Sequence, residues 1–414
     1  MNGLNGADMT FVTLSAALVM FMIPGLALFY GGMIKSKNVL STTLQSYAAL
    51  AVISVQWIVI GYSLSFGTDK GGFIGKLDFT FFKNVAEAAN IDYAPTIPHL
   101  LFAVFQMMFA VVTAAVISGA FAERMRFSAF LVFLILWTTL VYDPMAHWVW
   151  GGTMSQGGWL KELGVQDFAG GLVVEINSGI SGLVAAIVLG KRKKVHPDPH
   201  HVPMAILGGG ILWFGWFGFN AGSALAMNGV AVNAFSTTMA AAAAGAIAFA
   251  ICEWIIHKKP TALGTISGAI AGLVSITPGA GYVSTMHSLL IGFVGGALSF
   301  VAIVYLKKKL GYDDTLDAFG CHGVAGIWGT IATGIFASSK INPASADGLI
   351  FGNFELFKVQ CIAVVACVLY AGIFTFFILK FISKFMKLRT TTEEESSGLD
   401  VTLHGEKAYN IFSR

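Results

Sequence analysis

Charged residues are scarce in this chain of 414 residues. Asp, Glu, Lys and Arg together make up 11% of it, whereas 56% of the residues are apolar. An ordinary soluble protein carries about a quarter charged residues. This composition nearly excludes a soluble enzyme, and the same apolar content excludes intrinsic disorder. The mean hydropathy of +0.74 instead predicts an integral membrane protein.

Cysteines, concentrated positive charge and catalytic motifs are also missing or few. The four cysteines lie in apolar stretches without CxxC spacing, which indicates small buried side chains and neither a metal site nor a disulfide framework. The net charge of +3 is small and dispersed, which argues against nucleic-acid binding. Walker, HExxH, GxSxG and TVGYG motifs are absent. We therefore expect no enzyme, no cofactor, no bound metal and no potassium channel of the TVGYG type.

Long apolar runs, in contrast, follow one another along most of the chain. A hydrocarbon core about 30 Å thick needs roughly 20 apolar residues per helix. Such runs occupy residues 10–33, 39–66, 98–121, 127–146, 167–190, 203–226, 234–257, 261–278, 288–306, 318–337 and 356–383. The sequence thus predicts an all-α membrane protein with about eleven transmembrane helices. The transmembrane domain would cover 1–384, and 385–414 would form a tail.

The distribution of basic residues predicts the orientation of these helices. Most of the 25 Lys and Arg residues lie in the tail and in gaps after odd-numbered runs, such as 191–194 and 307–309. Cytoplasmic loops carry an excess of Lys and Arg. We therefore expect the N-terminus outside and the C-terminus in the cytoplasm, in a multi-pass protein of the cell membrane. The first run is not expected to be a cleaved signal peptide, because Lys35 and Lys37 follow it.

The fifth and tenth runs share a pattern. Each begins with an acid, Asp167 or Asp317, and carries one ionisable residue a few positions later, Glu175 or His322. Because the two runs lie five spans apart, they enter the membrane from opposite faces. This pattern is typical of a 5+5 inverted repeat, here followed by an eleventh helix, although small-residue patterning can also arise by chance. Glu175 and His322 would then both lie near the middle of the bilayer.

Ionisable and aromatic residues inside the runs are the candidates for function. A carboxylate at the bilayer centre costs about 2.5–3.5 kcal/mol, which indicates a proton or ion pathway at Glu175, although an interhelical hydrogen bond could also hold it. A single histidine such as His322 is more often a core residue. Phe105 and Phe109 share a helix face, and aromatic faces attract cations. Such pairs are nevertheless usually packing, and Trp150 could belong to an interfacial belt.

Nine segments of the chain resemble the ammonium transporter family, the Amt/Mep group. They are PGLALFYGGM (24–33), FQMMFA (105–110), AHWVWGG (146–152), DFAGGLVVEINSG (167–179), GKR (190–192), GWFGFNAGSA (215–224), SGAIAGLVSITPGAGY (267–282), DAFGCHGVAGIWG (317–329) and GLDVTLHGEKAYN (398–410). The similarity covers nearly the whole chain, and the combination is specific. It implies eleven helices, an outside N-terminus and a homotrimer with one pore per subunit.

The resemblance also implies roles for particular residues. Phe105, Trp150 and Ser223 would bind ammonium in an outer vestibule through cation–π contact and a hydroxyl group. Phe109 and Phe219 would form a stacked gate beneath that vestibule. The tail would pack under the subunits, where PII-type signal proteins bind in this family.

Three further residues complete the implied site. His322 would be one of two pore-lining imidazoles, and Asp167 would support the recruitment site without touching the pore directly. Asp317, the acid at the start of the tenth run, is expected to give similar structural support. Glu175 departs from the family, because most members have a histidine there and only some, notably fungal proteins, resemble this chain. A carboxylate–imidazole pair should titrate as a unit.

These features predict ammonium transport, with methylammonium as a cargo left open. An apolar pore penalises any ion that must stay charged, and ammonium, unlike potassium, can shed a proton. We expect recruitment of the cation, deprotonation, conduction of ammonia and a separate, electrogenic proton relay through Glu175 and His322. The alternative is an ammonium sensor that signals through its tail and conducts little. An Rh-like gas channel is a third possibility, against which Glu175 counts, since those proteins usually keep both histidines.

Overall fold

A computed structural model describes residues 3–193 and 198–409. All eleven apolar runs form helices: α1 (Gly6–Met33), α2 (Ser36–Phe66), α3 (His99–Phe121), α4 (Phe127–Trp150), α5 (Gly171–Leu189), α6 (Val202–Gly222), α7 (Gly229–His257), α8 (Ala262–Ile276), α9 (Thr285–Leu310), α10 (Phe319–Phe336) and α11 (Phe354–Phe385). Lys194 of the basic gap 191–194 and residues 410–414 of the predicted tail lie outside the described residues.

The lengths of these helices support a membrane protein. In the described part of the chain, ten of them are long and apolar enough to cross a bilayer, and the apolar helix α8 is shorter, with 15 residues. The prediction of an all-helical, multi-pass membrane protein is therefore confirmed. The eleventh crossing and the orientation of the termini stay predictions.

The connections add little regular structure. Between α2 and α3, the strands β1 (Asp69–Lys70) and β2 (Ile74–Gly75) pair antiparallel, as do β3 (Ala89–Asn90) and β4 (Ala94–Pro98). Short helical turns lie at Thr80–Phe82, Trp159–Glu162 and Leu349–Phe351, and the tail contains two short helices, Thr392–Ser397 and Leu399–His404. The loops after α2 and α4 cover the same end of the bundle, because Trp159 donates its amide to the carbonyl of Gly72 at 3.0 Å.

Glycines let the helices approach closely, which replaces the hydrophobic effect that is missing inside a bilayer. A Cβ atom added to Gly208 of α6 would clash with the backbone of Phe29 in α1. A Cβ atom on Gly292 of α9 would likewise clash with the backbone of Ala241 in α7. These contacts are between main chains, so a shift of a flexible side chain cannot relieve them.

The tail folds back onto the ends of the helices. Both carboxylate oxygens of Glu394 accept from Arg126, which precedes α4, at 3.0 Å. The carboxylate of Asp400 accepts from the amides of Leu40 and Ser41 at 3.1 and 2.8 Å, and so caps the first turn of α2. Arg192, which follows α5, pairs with Glu123 and Asp313 at 2.8 Å. The gaps after α1, α3, α5 and α9 therefore share one face of the bundle with the tail.

We expect Gly292→Ala to destabilise the protein, because the added methyl group must push α7 and α9 apart. Overpacking of this kind costs about 1–3 kcal/mol. Gly210→Ala is the matched control, since Gly210 is exposed in α6 and its added Cβ would meet nothing within 4 Å. Thermal unfolding in detergent should show a lower midpoint for Gly292→Ala and an unchanged or slightly raised one for Gly210→Ala. Equal midpoints would contradict the packing argument.

Candidate functional site

The start of α5 is fixed by one buried carboxylate. The helix opens with a π-helical stretch, Gly171–Ile176. The two oxygens of Asp167 accept four hydrogen bonds from the amides of residues 170–173, at 2.6 to 3.3 Å. A buried carboxylate is costly unless it is hydrogen-bonded, and here four donors satisfy it. The cap sets the depth of Glu175, eight positions further along the chain.

The start of α10 repeats this construction with a different acid from the one that the sequence pattern suggested. The carboxylate of Asp314 accepts from the amides of Ala318 and Phe319 at 3.1 and 2.8 Å, and a π-helical stretch follows. Asp317 instead has a positive φ of 59° and pairs with Lys307 at 2.7 Å. The pairing of Asp317 with Asp167 was therefore wrong by three residues, because three acids crowd 313–317 and only Asp314 lies eight positions before His322.

The first turns of α5 and α10 meet at an acid–base pair. His322 Nδ1 lies 2.7 Å from Glu175 Oε2, and the side chains are 8% and 1% exposed. Glycines make the meeting possible: a Cβ on Gly179 would clash with the backbone of Gly323, and one on Gly326 would lie 2.8 Å from Glu175 Cβ. The expectation that Glu175 and His322 come together is thus confirmed, whereas their role stays a prediction.

A narrow cavity surrounds this pair and is otherwise apolar. Apart from Glu175 and His322 it is lined by Met22, Ile23, Leu26, Val112, Val116, Val174, Leu212 and Trp216. None of these eight side chains carries a charge. Any ion that entered this cavity would lose its water shell, and only the carboxylate of Glu175 and the imidazole of His322 could replace the lost water ligands.

Two stacked rings close one end of this cavity, the end that the predicted orientation would place outside. Phe109 of α3 and Phe219 of α6 lie with their centroids 4.2 Å apart at an angle of 25°. Both side chains are buried. Trp216 lines the narrow cavity, and its ring centroid lies 5.5 Å from that of Phe219. Phe109 lines a second, wider cavity, which we call the outer cavity. The ring stack therefore separates the outer cavity from the inner one.

The outer cavity gathers most of the predicted binding residues. Trp150 and Ser223 line it together with Phe109. Trp150 donates its indole N–H to the carbonyl of Asp167 at 2.9 Å, which fixes the orientation of the ring. Ser223 donates its hydroxyl hydrogen to the carbonyl of Phe219 at 2.9 Å, which leaves the oxygen as an acceptor for a bound N–H group.

Phe105 takes a different place from the one expected. It is fully buried and is not among the residues that line the outer cavity in the described part of the chain. Its ring packs edge-on against Phe109, with centroids 5.0 Å apart. Phe105 thus packs against Phe109, one of the two stacked rings, and supports the position of that ring.

Several residues of the site carried no signal in the sequence. Asp92 lines the outer cavity from the loop between α2 and α3, and Lys161 lines it from the short helix Trp159–Glu162, where no periodicity marks them. A buried pair, His147 and Asp69 at 2.9 Å, anchors the end of α4 that carries Trp150. Burial acts to raise the pKa of Asp69, but hydrogen bonds from His147 and the Gly72 amide outweigh it and lower that pKa. The spacing of eight residues to His322 could have revealed Asp314.

Comparisons with known proteins agree on one family. The model described as Ammonium Transporter Family matches residues 10–409. An ammonium transporter of Bacillus subtilis (strain 168) is 56% identical over 97% of this chain and 98% of its own length. The crystal structure of Saccharomyces cerevisiae Mep2 superposes with a TM-score of 0.88 and 37% identity, over 94% of this chain and 91% of that one. A solved sensor Amt protein superposes with a TM-score of 0.87 and 31% identity, over 95% and 97%.

We expect Asp167→Asn to weaken the start of α5. Asparagine offers one acceptor oxygen, and its NH2 group would face amides that donate, so about half of the cap is lost. Leaving buried donors unpaired costs about 1–3 kcal/mol. Thermal unfolding should shift to lower temperature, whereas Glu355→Gln, an exposed acid at the start of α11, should leave the midpoint unchanged. A wild-type midpoint for Asp167→Asn would refute the capping role.

Proposed function

The chain belongs to the ammonium transporter family, and from this we propose that it carries ammonium across the cell membrane as ammonia and a separately relayed proton. This is a family of transporters and not of enzymes. The observation that carries the proposal is the Glu175–His322 pair, which lies in an otherwise apolar cavity on the inner side of stacked phenylalanine rings.

Recruitment takes place in the outer cavity. The face of Trp150 attracts the cation, an interaction worth about 0.5–2 kcal/mol. The oxygen of Ser223 accepts one N–H of ammonium, because its own hydrogen is used by the carbonyl of Phe219. Phe105 acts on this site only indirectly, through its contact with Phe109. Methylammonium presents the same N–H donors and is a second cargo that this site would accept.

Passage beyond Phe109 and Phe219 requires the cargo to become neutral. As ammonium leaves the ring stack for the apolar cavity, its N–H bond breaks, the electron pair stays on nitrogen, the proton passes directly to the Glu175–His322 pair, and ammonia continues through the cavity. Potassium has no such route, since it cannot lose its charge and the cavity offers no shell of oxygen ligands. Selectivity for ammonium over potassium then follows from the ability to lose a proton and not from the size of the ion.

Glu175 and His322 take up the proton that is released. His322 directs Nδ1 to Glu175, so its Nε2 is the ring nitrogen turned away from the carboxylate. A proton accepted at Nε2 can be matched by transfer of the Nδ1 proton to the carboxylate, so the pair holds the proton without moving either side chain far. Because the proton travels with its own charge, transport is electrogenic.

The fold is proposed to be the 5+5 inverted repeat with an eleventh helix, the N-terminus outside and the C-terminus in the cytoplasm. Helix α8 spans about 22 Å at 1.5 Å per residue, most of the hydrocarbon core. The turn after it brings the carbonyl of Pro278 within 3.0 Å of the Phe168 amide, beside the start of α5. As the eighth helix in chain order, α8 would be the counterpart of α3 in this repeat.

The proton relay is tested with Glu175→Gln in proteoliposomes, by measuring ammonium flux and current together. Glutamine can still hydrogen-bond to His322 but cannot accept a proton, so the current should fall by about 100-fold or more. Glu175→His restores two imidazoles and should retain conduction with a different charge per ammonium. The exposed Glu355→Gln should behave as wild type. Unchanged current and unchanged selectivity over potassium in Glu175→Gln would disprove the relay.

The same wild-type measurement separates a transporter from a sensor. A sensor would bind ammonium and move almost none. Transport is favoured, because the relative that is 56% identical is named an ammonium transporter, whereas the sensor structure is 31% identical.

We further propose that the protein is a homotrimer and that its tail, 385–414, forms part of the docking face for a PII-type signal protein. The tail is held by the paired Glu394 and Arg126 and by Asp400. Native mass spectrometry should give three copies of the 43.9 kDa chain, and a complex when a PII-type protein is added. Removal of 385–414 should abolish that complex and keep the trimer. A monomeric mass, or undiminished binding without the tail, would contradict these proposals.

A further inference from the structure

Two opposite charges line the outer cavity in addition to the residues that hold the cargo. Asp92 comes from the loop that joins α2 and α3, and Lys161 from the short helix Trp159–Glu162. Asp167, a third ionisable residue of the lining, already has its carboxylate committed to four backbone amides. Asp92 and Lys161 are thus the lining charges that remain to act on an ion in this cavity.

Both side chains are fixed by the segment that directly follows Trp150. Lys161 Nζ donates to the carbonyl of Gly151 at 3.2 Å and lies 3.5 Å from that of Trp150. Asp92 Oδ1 accepts from the amide of Met154 at 3.0 Å. Within the described residues the two do not form an ion pair with each other. Backbone groups therefore hold both charged side chains near Trp150. Asp92 and Lys161 do not neutralise each other through direct contact.

We propose that Asp92 and Lys161 set the affinity and the charge selectivity of the outer cavity for cations, with Asp92 attracting them and Lys161 repelling them. The inference rests on the proposed function and names two residues that tune its recruitment step. Coulomb energy is proportional to the charge of the ion, so a divalent cation feels twice the repulsion from Lys161 that ammonium feels. Lys161 would therefore keep Mg²⁺ and Ca²⁺ out of a cavity whose aromatic and hydroxyl groups attract any cation.

A purely structural role predicts something different. Lys161 could serve only to cap the carbonyls at the end of α4, and Asp92 only to tie its loop to Met154. Removing either charge would then loosen the same segment around Trp150 and weaken binding in both cases. The electrostatic role requires shifts of opposite sign. Glutamine at 161 and asparagine at 92 keep the hydrogen bonds to the backbone, so these substitutions remove little besides charge.

The test compares Lys161→Gln and Asp92→Asn in proteoliposomes, with methylammonium as the probe and KM and Vmax measured separately. We expect the KM to fall roughly threefold to tenfold in Lys161→Gln and to rise by a similar factor in Asp92→Asn, with Vmax nearly unchanged. Both shifts should shrink at high ionic strength. Added Mg²⁺ should inhibit Lys161→Gln more strongly than wild type.

Two further variants act as controls. Lys161→Arg keeps the charge and should restore the wild-type KM, while Lys83→Gln removes an exposed positive charge of the outer loop that does not line the cavity. Shifts of the same sign in both test variants, no shift in either, or a Lys161→Arg that behaves like Lys161→Gln would overturn the inference. If Asp92→Asn fails to fold, a lower KM in Lys161→Gln still decides. If Lys161→Gln fails to fold, the decision rests on whether the KM shift of Asp92→Asn shrinks at high ionic strength, which a structural role would not cause. A wild-type protein without methylammonium or ammonium flux would refute the proposed function itself.

Discussion

The hydrogen bond between Glu175 and His322 is the contact around which the rest of the bundle is organised. A carboxylate and an imidazole can persist inside an apolar bundle only if each satisfies the other, and these two come from different helices, α5 and α10. Their approach requires glycine at both crossing points, Gly179 and Gly326. The small residues of α5 and α10 thus follow from the need to bring two polar groups together in the absence of water.

The two capping acids follow from the same constraint. A helix that begins inside protein, away from bulk water, leaves its first amides without partners, and the positive end of its dipole favours a negative group there. Asp167 and Asp314 supply that group and fix the depth of the residue eight positions further on. The depth of Glu175 and His322, the crossing of their helices and the pairing of the two side chains are therefore determined together. The stacked rings of Phe109 and Phe219 separate this pair from the outer cavity.

Much of this arrangement could be predicted from the sequence, because membrane helices are recognisable as apolar runs and because isolated ionisable residues within such runs are rare. The eleven helices and the meeting of Glu175 with His322 were predicted on these grounds. The errors have physical reasons. Asp317 was predicted as the counterpart of Asp167, whereas Asp314 takes that place, because the sequence does not show which of three nearby acids directs its carboxylate at free amides. Phe105 shares a helix face with Phe109, but the spacing does not say which of the two faces a cavity.

The outer cavity was less predictable than the inner one. Asp92 and Lys161 lie on loops that become neighbours only after four helices have packed, and no local pattern marks such residues. Trp150 was recognisable by its motif, yet its orientation depends on the carbonyl of Asp167, which lies across the loop between α4 and α5. Functional residues on the loops around a rigid bundle are therefore the hardest to predict from the sequence.

The ring stack has a consequence for throughput. Phe219 stands on α6, which packs main chain to main chain against α1 at Gly208, so the barrier that it forms with Phe109 can part by rotation of side chains while this helix keeps still. Under the proposed function, each crossing waits for a brief thermal fluctuation of two rings and not for a swing of domains. Such a passage turns over cargo one molecule at a time, without a continuous water column along which other solutes could leak.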